Sequence, residues 1–178
     1  MSVGLLILRI VVGALFIGHG TQKLFGWFGG HGIDGTGGFF ESLRYRNGPA
    51  MATLAGVAEA GGGSLVLLGL VTWLGAAAIF GVMLNAMVSV HIKNGIWNSN
   101  GGVELPLAFS AGAICLAFTG PGRYSFDQAI GWHMAGWAWG TLAVVLGALA
   151  ALLILASRRP AARAAGGMEG GRTSSEAA

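Results

Sequence analysis

Seven side chains of this sequence combine chemical competence with an unusual setting. Arg9, His19, Lys23, Glu59, Asn85, His91 and Glu104 all lie within or at the ends of long apolar runs. An ionisable group placed in hydrocarbon costs about 2.5–3.5 kcal/mol on insertion scales, so it is expected to face a bundle interior and marks a candidate site. At 100° per residue, Arg9, His19 and Lys23 share roughly an 80° arc of one helix. At about 1.5 Å per residue, Glu59 lies on the order of 12 Å and Arg9 roughly 18 Å below the same boundary. Those depths predict a buried Arg9–Glu59 pair, with Asn85 at a similar level. His19, Lys23, His91 and Glu104 gather near the boundary itself. There a lysine and an imidazole can hold a carbonyl or an anionic group, and a second imidazole with a carboxylate can relay protons.

Each residue also has a plainer reading. Arg9 and Glu59 can lock two helices without touching a ligand. His19 and Lys23 can be interface anchors that snorkel, and Glu104, before Pro106, can complement a helix dipole. The histidines His19, His31, His91 and His133 stand on different segments, and no spacing demands a metal. No HExxH, Walker A or G-x-S-x-G motif is present, and the glycine-rich loop follows a helix rather than a strand.

The elements that must position these groups follow from composition. The chain has 178 residues, 54% hydrophobic and 10% charged, and a mean hydropathy of +0.69. Soluble domains carry about 25% charged residues. Six of the seventeen charged side chains fall in residues 157–178, which leaves eleven for the first 156 positions. That is too few to clothe a water-soluble surface, and the chain reads as an integral membrane protein. The net charge of +3 is scattered rather than patched with aromatics, which argues against nucleic acid as a partner. One cysteine, Cys115, excludes an intramolecular disulfide and thiol–disulfide exchange within the chain.

Five apolar windows approach the 17–25 residues that cross hydrocarbon: residues 3–21, 51–71, 73–92, 103–120 and 133–156. Period-2 alternation is absent, so a β-barrel is not indicated. The six tryptophans fall near window ends, as an aromatic belt requires. With five crossings, Lys23, Arg44, Arg46, Lys93, Arg158, Arg159, Arg163 and Arg172 share one face and Arg123 takes the other. That asymmetry predicts the N-terminus outside and the C-terminus in the cytoplasm. The first window lacks a basic n-region and an A-x-A site and reads as a retained helix. The segment 26–49 reads as a glycine-rich loop followed by a short interfacial helix at Phe39–Tyr45, and residues 157–178 as a disordered cytoplasmic tail.

These residues together resemble the DoxX family. The likeness runs through Leu8-Arg9-Ile10-Val11-Val12-Gly13, Phe16-Ile17-Gly18-His19-Gly20-Thr21-Gln22-Lys23-Leu24-Phe25-Gly26 and Gly32-Ile33-Asp34-Gly35-Thr36. It continues through Glu59-Ala60-Gly61-Gly62, His91, Asn94-Gly95, Glu104-Leu105-Pro106 and Gly120-Pro121-Gly122-Arg123-Tyr124-Ser125-Phe126-Asp127. The resemblance covers roughly residues 3–130 in order. It implies a small bacterial cytoplasmic-membrane protein with a four-helix core, related to a subunit of a thiosulfate:quinone oxidoreductase and to membrane complexes of oxidative and thiol stress.

The expectation is therefore an all-α integral membrane protein, a four-helix transmembrane bundle plus a fifth C-terminal transmembrane helix. Its function reads as a membrane subunit of a redox, thiol-stress or quinone-linked system. His19, Lys23, His91 and Glu104 would be its reactive groups, and Arg9, Glu59 and Asn85 would hold the ligand site together. A quinone or a small sulfur-containing molecule is the ligand in view. The partners are the bilayer, redox proteins and further copies of the chain. A non-catalytic scaffold and a small-molecule or proton pathway are the alternatives.

Overall fold

The computed structural model describes residues 2–159. Its ordered elements are helices: α1 (Ser2–Phe25), α2 (Gly32–Ser42), α3 (Gly48–Leu68), α4 (Thr72–Ala86), α5 (Glu104–Thr119), α6 (Phe126–Ala129) and α7 (Trp137–Ala156). A π-helical turn, Met87–His91, and a 3-10 turn, Ile92–Asn94, prolong α4. Four of these are long and apolar enough to cross a membrane: α1, α3, the run Thr72–Asn94 and α7. The chain is a multi-pass membrane protein, as its composition predicts. The window 103–120, expected as a further crossing, forms α5, whose 16 residues reach about 24 Å, shorter than the four helices above.

Local chemistry explains the helix ends. Asn47 accepts a hydrogen bond from the Ala50 amide at 3.1 Å, and Pro49 follows in the first turn, so α3 starts three residues earlier than hydropathy suggests. Gly69, at φ +67°, ends it in the left-handed region. The start of α4 is capped from 55 residues away. Asp127 accepts the amides of Val71 at 2.8 Å and Thr72 at 3.1 Å, together with the Thr72 hydroxyl at 3.0 Å. Burying these donors without a partner would cost about 1–3 kcal/mol each.

Helices α1 and α3 lie closest together, and small residues permit it. A Cβ on Gly13 would fall 2.7 Å from the Gly63 carbonyl oxygen, and one on Gly20 would fall 2.6 Å from that of Gly56. Close approach of this kind replaces the hydrophobic drive that lipid removes. The apolar core of Val12, Phe16, Val66, Ile79, Ala113 and Leu116 ties α1, α3, α4 and α5 together. The C-terminal helix α7 adds Ala143 to that core and packs on α4, with Gly147 against Ala77 and Gly81.

The glycine-rich stretch corrects the sequence reading. Residues 32–42 form one helix instead of a loop followed by a short helix. The glycines are a packing surface here. Gly37 and Gly48 meet backbone to backbone, so that a Cβ on Gly37 would fall 2.8 Å from the Pro49 nitrogen. The expected tail begins ordered as well. Arg158 Nε donates to the Leu43 carbonyl at 2.8 Å, and the Arg159 amide donates to the Arg44 carbonyl at 2.9 Å. The rest of that expectation, residues 160–178, lies outside the described residues.

These contacts define two ends of the bundle. The start of α1, the α3–α4 turn, the end of α5 and the start of α7 meet at one. The end of α1, α2, the start of α3, the end of α4 and the end of α7 meet at the other, together with Lys23, Arg44, Arg46, Lys93, Arg158 and Arg159.

Candidate functional site

The predicted polar cluster divides into two sites of different character. At the first end, Arg9 is 2% exposed and donates to four main-chain oxygens. Its Nε donates to Val66 O at 2.9 Å, Nη2 to Leu67 O at 2.8 Å, and Nη1 to Pro121 O at 3.0 Å and Tyr124 O at 2.7 Å. Gly69 makes the room, because a Cβ there would fall 2.6 Å from the guanidinium carbon. A guanidinium offers five donors in a fixed plane, and here it ties the end of α3 to the turn after α5. The predicted Arg9–Glu59 pair is therefore not formed. Arg9 is spent on carbonyls of the last turn of α3 and of the turn after α5, and it lines no part of the cavity described next.

Glu59 instead pairs with Lys23, Nζ to Oε2 at 2.5 Å, with Glu59 3% and the Lys23 side chain 25% exposed. The pair stands in the wall of a cavity of about 670 Å³ in the half of the bundle nearest α2. Its walls are mostly hydrocarbon, including Phe16, Leu54, Met83 and Phe109. His19, Lys23, Glu59, Asn85 and His91 all line it. The structure thus brings together five of the seven predicted residues.

Glu104 is not among them. Its carboxylate turns back to accept the Asn98 amide at 2.8 Å, while its neighbours Leu105 and Pro106 reach the cavity. The carboxylate holds the loop before α5 and lines no part of the cavity.

Two cavity residues escaped the sequence reading. Tyr45 is 1% exposed, and its hydroxyl lies 2.7 Å from Asn85 Oδ1 and 2.8 Å from Ser89 Oγ. Ser89 belongs to the π-helical turn, a feature that often re-aims side chains at functional sites. The i, i+4 spacing of Asn85 and Ser89 was a usable signal; Tyr45 sits on a loop and carried none beyond its phenol. Arg158 lies over the Tyr45 ring, 5.4 Å from its centre, and so joins the end of α7 to this network.

The donors and acceptors define what the cavity can bind. Asn85 Oδ1 is held by Tyr45, whereas Asn85 Nδ2 is buried with no partner among the described residues. His91 Nδ1 faces the Gly101 carbonyl at 2.7 Å; a carbonyl only accepts, so Nδ1 carries the proton and Nε2 of the neutral ring is left to accept one. His19 Nδ1 lies 3.2 Å from Gln22 Oε1. Among the described residues, no three His, Cys, Asp or Glu side chains converge as a metal set.

The profile of the DoxX family matches residues 4–92. A Mycobacterium tuberculosis protein named Uncharacterized membrane protein Rv3486 is 31% identical over 134 residues, which cover 69% of this chain and 78% of that relative. No solved structure matches the chain. The family match takes in α1 to the π-helical turn, and with it Lys23, Glu59, Asn85 and His91 of the cavity; the chain belongs to the DoxX family.

Proposed function

We propose that this protein is the ligand-binding membrane subunit of a redox system, and that its cavity holds a quinone or a molecule built like one. One observation carries the reading: an apolar cavity of about 670 Å³ with a Lys–Glu pair and an unpartnered amide in its walls. Ligand sites are mostly apolar, about 300–1,000 Å³, with a few placed polar groups. An unpartnered buried amide costs about 1–3 kcal/mol, and a carbonyl oxygen on the ligand offsets that cost.

In this reading Asn85 Nδ2 donates to one ligand oxygen, and Lys23, which keeps donors beyond the one given to Glu59, serves another together with His19. His91 Nε2 accepts or returns a proton at the loop end of the cavity, and the apolar walls exclude water. A bound quinone would supply electron-carrier chemistry that no side chain here provides. The protein sits in the bacterial cytoplasmic membrane with its N-terminus outside, an orientation supported by the basic residues at the α2 end.

The test is purification in mild detergent followed by mass spectrometry of small molecules extracted with the protein. The expected result is a quinone enriched over its level in bulk membrane lipid, and depleted when Ala86→Phe fills the cavity. Equal quinone content in both, or none above bulk lipid, overturns the reading.

A further inference from the structure

We infer that the corner where the end of α7 meets the α2–α3 loop, on the outer side of the cavity wall, is a binding site for the headgroup of an anionic phospholipid. Four arginines arise there within two short segments. Arg159 donates its amide to Arg44 O at 2.9 Å and a guanidinium nitrogen to Arg46 O at 3.4 Å, and Arg158 is held on Leu43 O. These bonds go to main-chain oxygens, so they bring positive charges together without neutralising any. Among the described residues the one ion pair is Lys23–Glu59. Arg44, Arg46 and Arg159 are exposed.

The backbone holds this arrangement at a cost. Arg44 has φ +73°, the left-handed region that a residue with a Cβ adopts at some expense. The bonds that join the two segments leave all four positive charges in one corner. An anion offsets the repulsion among like charges, and phosphate matches the guanidinium fork.

Position selects a lipid over a free anion. Next to the arginines in the chain, Phe39 at the end of α2 is half exposed. The exposed apolar side chains of Leu152 and Leu153 lead from the end of α7 into the bilayer. Charge above and hydrocarbon below is the profile of a phospholipid. Juxtamembrane basic clusters attract anionic lipid by about 1 kcal/mol per Lys or Arg, roughly fivefold each.

The experiment uses the full chain in nanodiscs of phosphatidylcholine with and without phosphatidylglycerol, read by native mass spectrometry of retained lipid and by melting temperature. Phosphatidylglycerol should be retained preferentially and should raise the melting temperature. Arg44→Gln/Arg46→Gln should lower that preference by at least tenfold, while melting in pure phosphatidylcholine stays within a few degrees of the unmodified chain. Arg44→Lys/Arg46→Lys, which keeps the charge, should retain most of the preference. No preference for phosphatidylglycerol, or an undiminished one in the glutamine variant, overturns the proposal. So does equal stabilisation by inorganic phosphate, which would make the corner an anion site without lipid selectivity.

Discussion

Glu59 is buried deeply enough to require a partner, and two basic residues of α1 stand on the face that could supply one. The choice falls on Lys23 because the Arg9 guanidinium finds four carbonyls at the other end of the bundle. Sequence could place all three residues on the interior face, since helical period and hydrocarbon cost decide that. It could not pair them, because two of the carbonyls that bind Arg9 come from the turn after α5, whose path no periodicity reveals. Lys23→Met leaves Glu59 buried without its cation, and breaking such a pair costs about 3–5 kcal/mol. Thermal denaturation in detergent should therefore show a large loss for Lys23→Met, with most of it restored in Lys23→Met/Glu59→Gln. Arg9→Leu and Glu59→Gln should instead add independently; a coupling above about 1 kcal/mol between them would restore the pairing that depth alone suggested.

At the scale of elements, most of the architecture was legible and its connections were not. The five apolar windows became α1, α3, α4, α5 and α7, with ends moved by caps such as Asn47 and by the reach of Asp127 to the start of α4. The first part of α2 escaped because glycine has poor helix propensity, which its packing against the start of α3 and against α1 offsets. The Tyr45 loop connects more elements than its position suggests: its hydroxyl reaches α4 and the following π-helical turn, and its ring carries Arg158 from the end of α7. A cation over an aromatic face is worth about 0.5–1 kcal/mol at a partly exposed site. A double-mutant cycle of Tyr45→Leu and Arg158→Gln should return a coupling of that order. Tyr45→Phe, which keeps the ring, should keep the coupling to Arg158 while losing the bonds to Asn85 and Ser89. A zero coupling energy would show that α7 and the loop are merely adjacent.

For the whole molecule, orientation and the cavity carry the functional reading. The described basic residues at the α2 end outnumber those at the opposite end, so a reporter fused after Ala178 should be active in the cytoplasm; activity only outside would invert the topology. The cavity was partly legible, since five of its polar residues were recognisable as ionisable or amide groups stranded in apolar sequence. Its volume was not, because space between helices depends on how far Phe16, Met83 and Phe109 stand apart. The most direct measurement is equilibrium binding of a short-tailed quinone to the full-length protein in nanodiscs, followed by tryptophan fluorescence. The unmodified chain should bind saturably, Asn85→Leu should weaken binding about tenfold through loss of one hydrogen bond in a water-poor site, and Ala86→Phe should abolish it at an unchanged melting temperature. Absent saturable binding, or binding that Ala86→Phe leaves intact, would contradict the account.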